Sequence, residues 1–174
     1  MDLRAETFDA MAEDHRTRVY RAACLLLDDP HEAEDVTQKV FVEAWRGWAR
    51  FEGRSETFTW LYTILRRVCT RHRQRVWWRL FRCSNATGEA LSTLPSDEPS
   101  PLDKVRADDD HRAVRALLKT LSPKLREVLV LRYVESFSVP EIAHALKLPE
   151  GTVKSRIHYA LQIAGQQWRK EEKE

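Results

Sequence analysis

Twenty residues, S-V-P-E-I-A-H-A-L-K-L-P-E-G-T-V-K-S-R-I at 138–157, confine their part of the chain to two short helices joined by a tight turn. Ser138 and Glu141 have the spacing of a capping box, in which each side chain satisfies a backbone amide left open at a helix start. Ile142, Ala143 and Leu146 follow as an apolar stripe, and Pro149 with Gly151 opens the next helix. At about 100° per residue, Val153, Ile157, Ala160, Ile163 and Ala164 share one side of that second helix. The opposite side carries Thr152, Ser155, His158 and Tyr159, flanked by Lys154 and Arg156. An apolar back and a hydrogen-bonding, cationic front suit the major groove, where short polar and basic side chains read base edges. An ordinary amphipathic hairpin is the plainer reading of the same segment.

Helical spacing also governs the rest of the chain, and no alternating strand pattern appears. Phe8, Met11, Ala12, His15, Val19, Ala22, Ala23 and Leu26 recur at i, i+3, i+4 and i+7, an amphipathic helix. Asp29-Pro30-His31-Glu32 opens the next, with Asp29 as N-cap, Pro30 in the first turn and Glu32 closing a capping box. Its apolar side is Ala33, Val36, Val40, Phe41, Ala44 and Trp48; its outer side holds Glu32, Asp35, Gln38, Lys39 and Glu43. A loop at 49–55 leads to a long helix over roughly 56–80. There Trp60, Leu61, Ile64, Leu65 and Val68 face inward, while Arg66, Arg67, Arg71, Arg73 and Arg75 largely do not. From Ser84 to Pro101 the pattern stops, and Ser, Thr, Asn, Gly and three prolines predict a flexible, acidic linker. Ser122-Pro123 then caps a helix holding Leu125, Val128, Leu129 and Tyr133. The predicted fold is all-α: one helical module over 1–83, the linker 84–101, and a smaller module over 102–174.

Charge is strongly segregated along this arrangement. Residues 1–44 hold five Lys/Arg against eleven Asp/Glu, and residues 45–83 hold ten against two. Residues 84–110 return to two against seven, and 111–174 to twelve against seven. Such alternation sets polyanion-binding faces beside faces for a basic protein partner. Cys24, Cys69 and Cys83 have no C-x-x-C spacing, and Cys24 and Cys69 sit in apolar-periodic helices, which points to buried, reduced thiols at those two positions in a cytosolic protein. The six histidines form no Cys/His cluster, so no structural metal or other cofactor is expected. No Gly-rich phosphate loop, nucleophile elbow, signal peptide or membrane span is seen, and the chain is not expected to be an enzyme or to insert in a membrane.

Four stretches together carry a family resemblance. They are D-V-T-Q-K-V-F-V-E-A-W (35–45), F-E-G-R-S-E-T-F-T-W-L-Y (51–62), L-S-P-K-L-R-E-V-L-V-L-R-Y (121–133) and the helix-turn-helix E-I-A-H-A-L…G-T-V-K-S-R-I (141–157). In that order they resemble the sigma-70 family of RNA polymerase initiation factors, and in particular the extracytoplasmic-function (ECF) group, which keeps only regions 2 and 4. The resemblance implies binding to core RNA polymerase through Glu32, Asp35, Gln38 and Phe41. It implies capture of the promoter −10 region by the 50–58 loop, with Phe51 and Phe58 stacking on an unpaired base and Arg50, Arg54 and Ser55 on phosphates and base edges. Trp60 reads as core. Arg66, Arg67, Arg71 and Arg75 would track the DNA backbone. Thr152, Lys154, Ser155, Arg156, His158 and Tyr159 would read the −35 element.

Three departures from the family pattern bear on those roles. Relatives commonly have Asn at Arg67, so a phosphate contact is expected there in place of a base contact. Arg is common where Tyr159 stands, which alters the expected −35 preference. Gly is frequent where Lys147 stands, which implies either a non-Gly residue in a left-handed turn, at about 1 kcal/mol, or a different turn. Leu125, Val128 and Leu129 are expected in the core, with exposed neighbours docking the polymerase flap. Trp77, Trp78 and Phe81 either pack back on the first module or face an anti-sigma factor, a partner the family often has, which could hold the protein at the membrane. A stand-alone helix-turn-helix regulator, a nucleic-acid-processing enzyme and a polymerase-binding scaffold are the rival readings.

Overall fold

A computed structural model describes residues 3–27, 29–87 and 109–171. Seven α-helices and no strand occur among them, in keeping with the all-α expectation. The chain divides into two compact units, Met1–Glu98 and Pro99–Glu174.

Three helices form the described part of the first unit: α1 (Leu3–Leu26), α2 (Pro30–Trp48) and α3 (Thr57–Thr87), each packed on the other two. Val19, Ala22 and Ala23 of α1, Ala33, Val36, Val40 and Ala44 of α2, and Leu61, Tyr62, Leu65 and Cys69 of α3 are fully buried. Alanines at these crossings let the axes approach, and the larger side chains fill the space between. Cys24 and Cys69 are buried thiols, not joined in a disulfide. Helix α3 runs past its expected end near 80, so positions 84–87 are helical; the remainder of the expected linker, 88–101, lies outside the described residues. The side chains of Phe81 and Cys83 lie outside them too.

The start of α2 shows how a tertiary partner overrides local chemistry. Asp29 is extended (φ −115°, ψ 125°), and its carboxylate accepts the His31 N–H at 2.8 Å, with Pro30 behind it in the first turn. Glu32, expected to close a capping box, turns instead to α3, where its Oε2 lies 3.0 Å from His72 Nε2.

The second unit holds α4 (Asp109–Thr120), α5 (Pro123–Leu129), a π-helical turn (Val130–Val134), α6 (Val139–Leu146) and α7 (Glu150–Glu171). Val128, Val130, Leu131, Ile142, Val153 and Ala160 are its fully buried centre. Arg126 is buried as well. Its Nε donates to Leu118 O at 2.8 Å and its Nη2 to Lys119 O at 3.1 Å, so the cation closes the carbonyl end of α4. Ser122 stands at the N-cap of α5 without a side-chain cap bond. The π-helical turn interrupts the helix expected to hold Tyr133, which is 59% exposed, with Val134 at 47%. A π-turn holds an extra residue, which swings Tyr133 off the Leu125–Leu129 stripe it would extend in a regular helix.

The capping box at α6 forms as read. Glu141 Oε2 accepts from Ser138 N at 2.7 Å and from Ser138 Oγ at 2.5 Å, and Glu141 N donates to Ser138 Oγ at 3.4 Å. The Ser138 hydroxyl, and next its N–H, hold the Glu141 carboxyl below the ordinary carboxylate range. At the other end Lys147 takes the left-handed conformation (φ 53°, ψ 50°), the first of the two alternatives posed by the sequence. Leu148 N donates to Ala143 O at 2.9 Å and Lys147 N to His144 O at 3.2 Å, the pair of bonds that usually has glycine at its centre. Ser136 is also left-handed, with φ 59°. Ser136→Gly and Lys147→Gly should each raise stability by up to about 1 kcal/mol, read as a higher thermal midpoint. A lowered midpoint would mean that each side chain makes a contact outweighing its backbone strain.

Candidate nucleic-acid interface

The loop between α2 and α3 is built on stacked aromatic rings. Phe51 stacks on Trp48 (5.6 Å between centroids, 16°) and on Trp60 (4.7 Å, 30°), while Phe8 of α1 meets Trp45 and Trp48 edge-on. A Cβ at Gly47 would lie 3.2 Å from the Trp60 ring, so glycine lets that indole lie against α2. Gly53, with φ 67°, makes the turn that returns the chain to α3. Arg50 and Arg54 project into solvent, Arg54 Nη2 lying 2.5 Å from Glu52 Oε2, and Ser55 is half-buried. Phe51 is thus a half-buried ring of a preformed aromatic cluster, with exposed Arg50 and Arg54 in the same loop.

Phe58 does not share that position, and its expected role in base capture is corrected. Its ring is 2% exposed, between Tyr62 and His15, with the Arg18 guanidinium 3.7 Å from its centroid. Phe58 lies one residue into α3, where the helix turns it toward α1. A ring held there has no face for a base. Beside it, burial and then the Arg18 charge keep the His15 imidazole below its ordinary range, against the opposing pull of Asp14.

Helix α3 carries seven arginines and no carboxylate. The neighbouring helix α2 supplies the counter-charge. Arg67 Nη2 lies 2.6 Å from Glu43 Oε2, and Arg71 Nη2 bonds the other oxygen, Oε1. Burial on its own would raise the Glu43 carboxyl, but the two guanidinium bonds and charges together outweigh it and hold it below the ordinary range. Lys39, Glu43, Val68, Arg71, His72 and Arg75 line an open groove of about 200 Å³ between the two helices. Arg66 is half-buried, and Arg75 is exposed with no ion pair to a described residue.

The outer side of α2 contains more than the sequence reading assigned to it. Asp35 is exposed, 3.4 Å from Lys39, and Gln38 is exposed; Glu32 and Phe41 are half-buried. Val42 and Trp45 are also exposed, at 52% and 38%, and they extend the Asp35–Gln38 line at i+7 and i+10. Their signal was present in the sequence as large apolar residues that break the helix's inward pattern.

On α7 the front and back separate as expected. Val153, Ala160 and Ala164 are buried; Lys154, Ser155, His158 and Tyr159 are exposed; Thr152 and Arg156 are half-buried. Lys154 lies 3.9 Å from Glu150, and Ser155 Oγ donates to Thr152 O at 3.0 Å. That bond directs the hydroxyl proton to the backbone and leaves its lone pairs facing outward, as an acceptor. Such a face offers cations, an acceptor and two aromatic tips to a groove. No group of described residues could hold a metal ion, and no described helix is long and apolar enough to cross a membrane.

Two family models match this chain: Sigma-70 region 2 over residues 11–79, and Sigma-70 region 4 over residues 111–162. The chain is 32% identical over 154 residues to the RNA polymerase sigma-E factor of Streptomyces coelicolor, covering 88% of this chain and 81% of that protein. It is 27% identical over 157 residues to the ECF RNA polymerase sigma factor SigW of Bacillus subtilis, covering 88% and 84%. Among solved structures, the sigma factor RpoE in complex with the anti-sigma factor NepR from Bartonella quintana matches with a TM-score of 0.72 at 23% identity, over 94% of this chain and 98% of that one. CnrH in complex with the cytosolic domain of CnrY matches with a TM-score of 0.67 at 21% identity, over 95% and 89%. These last two likenesses establish the fold.

Proposed function

The chain belongs to the ECF group of the sigma-70 family of RNA polymerase sigma factors, and on that premise we propose how its surface divides the work. It is an alternative sigma factor that binds core RNA polymerase and directs promoter recognition and transcription initiation. Residues 1–83 act as region 2 and residues 102–174 as region 4, with 84–101 joining them. The exposed side of α2, with Asp35 and Gln38 extended by Val42 and Trp45, docks the polymerase. Phe51 with Arg50, Arg54 and Ser55 receives an unstacked base of the −10 region, and Arg66, Arg67, Arg71 and Arg75 lie along the backbone. Lys154, Ser155, His158 and Tyr159, with Thr152 and Arg156 at their margin, read the −35 element.

One observation supports this reading above the rest. A cationic helix beside a stacked aromatic loop occurs in the same chain as a helix-turn-helix whose reading face is bare. Opening a duplex needs stacking and cationic surfaces, whereas choosing a site needs a groove-reading face. A stand-alone helix-turn-helix regulator would have no use for the first, and the region 2 match speaks against it. The protein acts without enzymatic chemistry of its own, in the cytoplasm. An anti-sigma factor controls it, as suggested by the partner named for the Bartonella relative in fold, and any membrane association runs through that partner.

The test is start-site mapping on the organism's own genomic DNA, with core RNA polymerase alone and with the purified chain added. New, discrete start sites are expected only when the chain is present. Lys154→Ala with Ser155→Ala should weaken closed-complex binding at those sites by about 1–3 kcal/mol for each base edge that is no longer read. Start sites that do not depend on the chain, or on those two side chains, would count against the assignment.

A further inference from the structure

The Glu43 carboxylate is held by two arginines of α3. Arg67 and Arg71 are one helical turn apart on α3, so their guanidiniums share a side, and each holds one oxygen of the same carboxylate. The Glu43 side chain is only 21% exposed, against 61% for Arg67 and 49% for Arg71. The carboxylate is thus the most covered of the three groups, and a phosphate that takes the two Nη2 atoms has to displace it. Two oxygens, one negative charge and two guanidinium partners also describe a phosphodiester gripped by the same pair. Arg75, the next turn along, has no such carboxylate among the described residues and opens on the groove with Lys39 and His72.

We infer that Glu43 is a built-in competitor for the DNA backbone: its carboxylate occupies Arg67 and Arg71 in the free protein and must give them up before either grips a phosphate. This rests on the DNA-binding role proposed above for α3. An arginine still held by a carboxylate neutralises no phosphate and so releases no cation condensed on the DNA, which keeps its share of the salt dependence of binding small. Arg75 makes the first contact, and Arg71 and Arg67 join only as the phosphate displaces Glu43. The carboxyl is held in its charged form by the same two arginines, so the competition persists at neutral pH. Phosphate contacts position without reading sequence; Glu43 accordingly lowers affinity for any duplex alike.

The test uses the full chain, a mixed-sequence DNA duplex and a salt titration. Glu43→Gln keeps the shape of the side chain and removes its charge. It should tighten binding on the order of tenfold at low salt and steepen the log K against log salt slope by about one to two units, one for each arginine released. Unchanged or weaker binding overturns the proposal, as does an absence of binding by both forms. A second comparison holds even if Glu43→Gln folds poorly. In the otherwise unaltered chain, Arg75→Ala should reduce the salt slope by at least twice as much as Arg67→Ala, and equal reductions overturn the proposal. The two ideas fail differently. If Arg75→Ala weakens binding and Glu43→Gln changes nothing, only the competitor role falls. If neither substitution matters, the phosphate-tracking role of α3 falls with it.

Discussion

Phe58→Ala should destabilise the first unit by about 3–5 kcal/mol, the usual range for removing a buried aromatic ring. The ring is 2% exposed, so nearly its whole transfer free energy is at stake. Tyr62 and His15 are deprived of a packing partner, and the Arg18 guanidinium of the ring face 3.7 Å away, an interaction of about 0.5–2 kcal/mol according to its desolvation. Small domains are stable by roughly 5–15 kcal/mol, so the variant should unfold at a much lower denaturant concentration. Phe51→Ala is the informative contrast. That ring is only half-buried, against Trp48 and Trp60, and its removal should cost less in stability while reducing strand opening. Chemical denaturation of both variants, followed by helix content, decides the matter. A Phe58→Ala destabilisation below about 1 kcal/mol would return Phe58 to the base-capturing rings.

What the sequence made legible was local, and what it hid depended on distant partners. The α6 capping box and the two sides of α7 follow from spacings of three and four residues, which a helix imposes wherever it lies. Lys147 was half legible: its position at a helix end was plain, but only backbone angles choose between a strained left-handed residue and another turn. Phe51 and Phe58 look alike in a run rich in aromatics and cations, and the start of α3 decides which one turns inward. The Glu43 clasp joins residues 24 and 28 apart in the chain, beyond the reach of any periodicity argument. Glu32 was read as a cap because its spacing fits one, yet His72 lies forty residues on and claims it. Tyr133 went astray for another reason. A single π-turn shifts helical phase, and no residue type announces one. Val42 and Trp45 were visible as apolar residues on the wrong side of α2, which is how a docking face differs from a solvated one.

Charge and shape on that side of α2 set the remaining large effect. Asp35→Lys combined with Val42→Glu should reduce affinity for core RNA polymerase by about 100-fold or more, since a central interface side chain is worth roughly 2 kcal/mol or above. Residues 1–44 carry six more acidic than basic side chains, so the complementary surface should be basic, and reversing Asp35 sets like charges together. Val42 acts differently. It is 52% exposed, and a carboxylate in its place would lose the apolar contact and have to be desolvated on docking. The fold should tolerate both changes, because surface substitutions of this kind usually shift stability by less than about 0.5 kcal/mol. Glu32 and Trp45 are unsuitable for the test, since Glu32 approaches His72 and Trp45 packs edge-on against Phe8. The single variants separate the two causes. The Asp35→Lys effect should shrink as salt rises, because it acts through screened charge, while the Val42→Glu effect should persist. Binding is read by titrating labelled chain with core polymerase, with thermal midpoints measured alongside. A double variant that melts normally and binds like the unaltered chain would place the docking face elsewhere on the first unit.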